Sequence, residues 1–311
     1  MNNLEIHLVG CHYPGKVVKV TTEYLDSDET KKYIAKLSDV SKRPTVDIIS
    51  DISFHRYIIV PDYSKPPVKH DTPQSLEGIF QSFCKLDPYN KEDDFKDFIS
   101  RNGLLGIWEP PPFQILNFMG EIKYCDKAKH GTFVYEPLKL WVKHIEIARE
   151  LFKIYSTLIR SKKYGNRHIQ VDRVPAPTEI KNGRGYFYRL GNQLVLINEA
   201  EFEKPEKTAI EILGQCLQKV LRGGINIDYT NFVSNPKSNI GYSFIPTYST
   251  PYLIAAIYFT LWKMVNTQES AYTCDYCGNP IDNISKGRIK RYCNGNCRQY
   301  DNRQRKRKEG E

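Results

Sequence analysis

The segment Thr273–Lys308, TCDYCGNPIDNISKGRIKRYCNGNCRQYDNRQRKRK, decides how the chain is read. Two residues separate Cys274 from Cys277, three separate Cys293 from Cys297, and 15 lie between the pairs. Two cysteines at the first spacing can turn both sulfurs toward one point in a tight knuckle. Gly278 directly after them suits a turn that needs a positive φ. Cys293 and Cys297 stand at i and i+4 and share a face if a helix begins there. Pro280 and Gly287 are turn signals for a short hairpin between the pairs. A knuckle, a hairpin and a helix carrying the second pair make a treble-clef-like module. Four thiolates at tetrahedral corners suit one zinc ion, and with four protein ligands no position is left for water or substrate. The metal is therefore expected to be structural. A module of about 39 residues is too small to hold a core alone, so zinc should supply most of its folding free energy.

Charge collects in the same segment. The net charge is +9 over 311 residues, yet residues 273–311 hold ten Lys or Arg against five Asp or Glu. One Zn²⁺ with four thiolates would bring this segment down to about +3. Lys286, Arg288, Lys290 and Arg291 precede or adjoin the second cysteine pair. Arg298, Arg303, Arg305, Lys306, Arg307 and Lys308 follow its last cysteine, and Tyr276, Tyr292 and Tyr300 are interleaved. Cations can neutralise phosphates and tyrosines can stack on bases, so the pattern suits nucleic acid. A solvated terminal charge run, or a module that docks a protein partner, its own body or another copy, is the competing reading.

The string CDYCGNPI…KRYCNGNCRQYDNRQRKRK resembles the C-terminal finger of a group of bacterial proteins ending in Cys-x2-Cys…Arg-x-Tyr-Cys-x3-Cys-Arg. Upstream, FISRNGLLG, EPLKLW and LIAAIYFTLW are similar to segments of the same group, so the resemblance spans roughly residues 95–308. These proteins are in turn similar to the CGNR-type zinc-finger regulators. The resemblance implies a zinc-binding, DNA-binding protein with a role in transcriptional regulation. In that family Cys-Gly-Asn-Arg belongs to the second ligand pair, whereas here Cys277-Gly278-Asn279 belongs to the first and is followed by Pro280. The four cysteines carry over; base-reading residues do not.

Outward from the finger, the chain reads as α+β. Residues 1–75 form a strand-rich region, with LEIHLVG, KVVKVTTEYL, TVDIIS and HRYIIVP as strands and a short helix at Glu29–Leu37. Residues 76–162 form a helical region: Leu76–Cys84, then Asp93–Arg101 closed by a left-handed Gly103, then a long helix opened by Pro137. That last helix carries Leu138, Trp141, Val142, Ile145, Ala148, Leu151, Phe152 and Tyr155 at steps of three or four. Residues 161–185 lack periodicity and read as a boundary or long loop. Residues 186–268 add a hairpin around Gly191-Asn192, a helix from Glu206 to Leu221, a polar stretch to Ser249 and a buried helix from Tyr252 to Val265. They are expected to pack with the helical region into one body, and residues 273–308 form the finger with its basic tail.

Other chemistry is thin. Cys11, Cys84, Cys125 and Cys216 are scattered and read as small buried hydrophobes. No phosphate-binding loop, dinucleotide fingerprint, nucleophile elbow or His-Glu-x-x-His is present. Glu92, Asp93, Asp94 and Asp97 open a helix, where acids favour the dipole. His12 and His144 read as structural, although an enzyme site assembled from distant residues stays open. No secretion leader or bilayer-length apolar run is evident, and the expected location is cytoplasmic.

Overall fold

The computed structural model describes residues 5–9, 12–41, 44–68, 70, 76, 78–107, 135–164, 173–174, 185–190, 193–198, 205–240, 242–267, 272–281 and 290–309. The chain is α+β, with three three-stranded sheets and a helical body among the described residues. The first third contains β1 (Ile6–Leu8), β2 (Gly15–Lys19), α1 (Thr22–Asp26), α2 (Asp28–Ser41), α3 (Thr45–Ser53) and β3 (Tyr57–Pro61). One stretch expected as a strand is helical throughout, and a second is helical only in its latter part. TVDIIS is β-branched, but Ile48 and Ile52 are buried while Val46 and Ile49 are exposed, the i, i+4 pattern of a helix face. KVVKVTTEYL divides where Thr21 accepts the N–H of Tyr24 at 3.1 Å, an N-cap that ends the strand and starts α1.

The helical region follows as α4 (Ile79–Lys85), α5 (Glu92–Asn102), β4 (Glu136–Pro137) and α6 (Leu138–Tyr164). Gly103 closes α5 at φ 84 and ψ −162, a positive φ as expected but outside the left-handed helical well. The strand β3 serves both cores through its two-residue period: Ile58 and Val60 join Ile34, Leu37, Ile48 and Ile52, whereas Ile59 faces the main core. In that main core Trp141 of α6 is fully buried against Phe83, Phe95 and Phe98.

The remaining elements are β5 (Arg173–Val174), β6 (Gly185–Leu190), β7 (Gln193–Asn198), α7 (Pro205–Leu221), β8 (Asn226–Ser234), β9 (Tyr242–Thr250), α8 (Leu253–Thr267) and α9 (Gly295–Glu309). β6 and β7 pair antiparallel on either side of residues 191–192, as the hairpin signal predicts. The polar stretch before Ser249 is instead a hairpin of two nine-residue strands, β8 and β9, the second of which pairs parallel with β1. Polar residues mask its alternation because much of it faces solvent: Ile227, Tyr229, Val233 and Tyr242 are all exposed. α8 is buried along nearly its whole length, as its composition predicts. Cys84 and Cys216 are fully buried, as expected; Cys11 and Cys125 lie outside the described residues.

One buried carboxylate ties these parts together. Glu136 accepts backbone N–H groups from Leu105 (3.0 Å), Gly106 (2.7 Å) and Ile107 (3.3 Å), and the indole N–H of Trp141 (2.7 Å). The carbonyl of Leu105 then accepts from Ile254 at 3.0 Å in the first turn of α8. Gly106 is required twice over, since φ is +81 and a Cβ would come within 3.0 Å of the Tyr252 ring. Burial raises the Glu136 pKa and the four donors lower it, leaving it at about 7 against an ordinary 4.5. The folded chain thus holds this proton more tightly than the unfolded chain. The stability that follows is full below about pH 4.5 and is lost as pH rises toward about 7. In E136Q an amide NH₂ would face N–H donors, and urea unfolding should show a loss of about 2–3 kcal/mol at neutral pH. The variant should also lack this part of the pH dependence between about pH 4.5 and 7; an unchanged profile would remove Glu136 as its source.

Candidate metal centre

The finger is built from short-range backbone bonds. Cys274 N–H donates to Asn279 (2.8 Å), Gly278 N–H to Cys274 (2.9 Å) and Ile281 N–H to Tyr272 (2.9 Å), closing the 272–281 turn. Gly278 sits at φ 71 with open space around its would-be Cβ, so backbone conformation alone selects glycine there. Asp275 N–H donates to the carbonyl of Arg291 at 2.8 Å, which draws the chain ahead of Cys293 alongside the knuckle. Asn294 accepts the N–H of Cys297 at 2.8 Å and so caps α9. The helix therefore begins at Gly295 and not at Cys293: Cys297 lies in its first turn and Cys293 just ahead of the cap.

These contacts bring the four sulfurs of Cys274, Cys277, Cys293 and Cys297 within 4.8 Å of one another. Cys277 and Cys293 are 3.6 Å apart and Cys293 and Cys297 3.5 Å. A tetrahedral site with metal–sulfur bonds of about 2.3 Å has edges of about 3.8 Å. A disulfide would need about 2.05 Å, and all four thiols are free. The cluster can thus hold one metal ion. Burial raises the Cys274 thiol, but N–H groups of Cys277, Cys293 and Tyr276 at its sulfur outweigh this and bring it to about 7. Cys277 and Cys293 are pushed up to about 11, chiefly by burial. A cation among them would supply the charge that lets all four ionise.

The knuckle is fastened to the body. Arg160, near the end of α6, donates to the carbonyl of Thr273 at 2.6 Å and pairs with the carboxylate of Asp275, the residue directly after Cys274. Its guanidinium also lies 5.8 Å from the Tyr272 ring centroid. Ser156, one turn earlier, accepts the N–H of Thr273 at 2.9 Å. Burial raises the Asp275 pKa, but Arg291 and Arg160 hold it below the ordinary carboxylate value. The α6–finger contact spans 115 residues of sequence, and no local pattern signals it.

The basic residues fall into three groups. Lys290, Arg291, Arg298 and Arg303 are exposed. Arg291 donates through Nε to Asp275 at 2.8 Å, so part of its charge secures the knuckle. Arg303 lies 5.9 Å from the centroid of Tyr300, which stacks on Tyr276 at 5.6 Å and 17°. Tyr292 donates to Asp301 at 2.6 Å. Arg305, Lys306 and Arg307 belong to α9, with side chains outside those described. Lys286 and Arg288 lie outside the described residues.

Elsewhere, Glu92, Asp94 and Asp97 form surface ion pairs with Lys96, Lys91 and Arg101 at the start and along the face of α5. His12 and His144 are buried, and burial pushes His144 down to about 3. Among the described residues, no helix is long and apolar enough to cross a membrane. No family model, curated protein or solved structure matches this chain.

Removing Arg160 should loosen the finger without dismantling it. In R160Q, Asp275 loses this ion pair but keeps its bond from Arg291, and the joint should weaken by about 1.5–3 kcal/mol. Hydrogen exchange at residues 272–281 should speed up while the metal stays bound. Unchanged exchange there would deny Arg160 this role.

Proposed function

We propose that the four cysteines hold one zinc ion as a structural centre, in a treble-clef-like finger, and that α9 is the nucleic-acid-binding element of this protein. A compact set of four soft thiolates suits zinc, and sulfurs within 4.8 Å of one another leave room for a single ion. Cys274, Cys277, Cys293 and Cys297 would fill every coordination position. The ion would neutralise the thiolates and lock the knuckle to the start of α9, with no open site for chemistry.

The observation that carries the nucleic-acid reading is the composition of α9. Six of its 15 residues are Lys or Arg and two are acidic. At 1.5 Å per residue it is about 22 Å long. It has no apolar face with which to enter a core or lie on a bilayer. At 100° per residue, positions 298, 303, 305, 306, 307 and 308 are spread around the whole circumference. A flat acidic surface would use one side of such a helix. A groove walled by phosphates on both sides uses all of it. Duplex DNA is accordingly the favoured target, in line with the family resemblance and its implied regulatory role. The contact set would comprise Lys286, Arg288, Lys290, Arg291, Arg298, Arg303, Arg305, Lys306 and Arg307.

A second reading has its own support. The knuckle side of the finger is joined to the protein's own body through Arg160, Ser156 and Asp275, which is what a self-docking module would do. The two readings use different faces and are compatible: one side of the finger seats on α6 while α9 stays outside.

A gel-shift salt titration of the full chain separates them. For duplex DNA, log affinity should fall linearly with log salt, by about 0.9 per phosphate engaged. R303Q/R305Q/R307Q should bind more weakly at every salt and reduce that slope by about three. C293S should abolish binding while leaving the body folded by circular dichroism. Affinity indifferent to salt, or a triple variant that binds like the parent, would leave only self-docking.

A further inference from the structure

A cavity of about 490 Å³ lies between α7 and the last turns of α6 and α8, within the size range of small-ligand sites. On α7 its lining positions are 210, 213, 214, 217, 218 and 221, so one stripe of that helix faces it for about three turns. Leu213 and Leu217 are buried, whereas Ile210 stays 58% exposed. Leu158 of α6 and Trp262 and Val265 of α8 line the other sides. The Trp262 ring is held against Phe259 and Tyr248, with centroids 5.0 and 6.0 Å away.

Gly214 stands in the middle of the stripe. Glycine inside a helix is destabilising relative to alanine. Yet a Cβ added here would meet nothing within 4 Å beyond its own stretch of backbone. Tight packing therefore does not demand the glycine. Its effect is to keep the cavity open, since any side chain at this position would enter it.

The lining also fixes the chemistry of an occupant. None of the described residues around the cavity is charged. An ionic ligand would leave its charge unpaired among apolar groups, which is costly. The Tyr155 hydroxyl donates to the carbonyl of Met264 at 2.7 Å. Neutral polar groups come from two amides, Gln218 and Asn266.

We propose that this cavity binds an uncharged small molecule, an apolar ring system bearing one neutral polar group such as a hydroxyl. The ring would lie over Gly214 against Trp262 and the leucines, and the hydroxyl would meet an amide of Gln218 or Asn266. The site adjoins the finger joint, because Ser156 and Arg160, on the same turns of α6, hold Thr273 and Asp275. It does not rest on the reading of α9.

Isothermal titration of the full chain with 2-naphthol and with 2-naphthoate, the same ring carrying a charge, tests this. Naphthol should bind with a Kd below about 1 mM, and naphthoate at least about tenfold more weakly. G214L should fill the cavity and weaken naphthol by about tenfold or more. It should not lower the melting temperature, because leucine is the better helix former. Naphthol should also slow hydrogen exchange across residues 210–221 of the parent protein, a readout that stands even if G214L misfolds. The proposal is overturned if naphthol does not bind, if naphthoate binds as well, if a folded G214L binds like the parent, or if exchange slows elsewhere and not at 210–221. Self-association of the parent that G214L abolishes would also overturn it, since the groove would then seat a second copy of the chain.

Discussion

The finger has too little apolar surface to fold by burial. Among its described residues only Tyr272, Thr273, Cys274, Pro280 and Cys297 are buried. A segment with so small an interior needs another source of folding free energy. Two are on hand. One is the point where four sulfurs converge; the other is Asp275, which couples the knuckle to Arg160 and Arg291. They are adjacent in sequence, so a change at the sulfurs is felt at the joint with α6.

The body solves a similar difficulty by different means. Its main core is large and aromatic, but a polar backbone segment, residues 104–107, has to pass through it. Buried N–H groups without acceptors would be costly there. Glu136 meets this need with both oxygens and at the same time orients Trp141, the largest fully buried side chain among the described residues. The result positions the start of α6 and, through Leu105, the start of α8. α6 then runs to Ser156 and Arg160, where the finger is seated. The carboxylate at one end of this helix and the guanidinium near the other are thus parts of one framework.

Much of this was legible in the sequence, for reasons that differ by element. The periodicity of α6 and the near-continuous apolar run of α8 report burial directly. The cysteine spacings report convergence, because metal ligands must meet whatever the loops between them do. Local chemistry misled where composition and periodicity disagree: TVDIIS is β-branched yet shows a helical burial pattern. The β8–β9 hairpin escaped notice because its exposed face and polar residues blur a two-residue period. Glu136 and Arg160 could not be found locally at all. Apart from Trp141, five residues from Glu136, their partners lie 29 or more residues away, and a lone acid before a proline or a lone arginine at a helix end carries no signature.

The most direct measurement is zinc content followed through removal. Protein purified without chelator should carry one zinc ion per chain. Stripping it should increase hydrogen exchange at residues 272–281 and 290–303 while α6 and α8 stay protected. A finger equally protected with and without metal, or a native chain that holds none, would contradict the account.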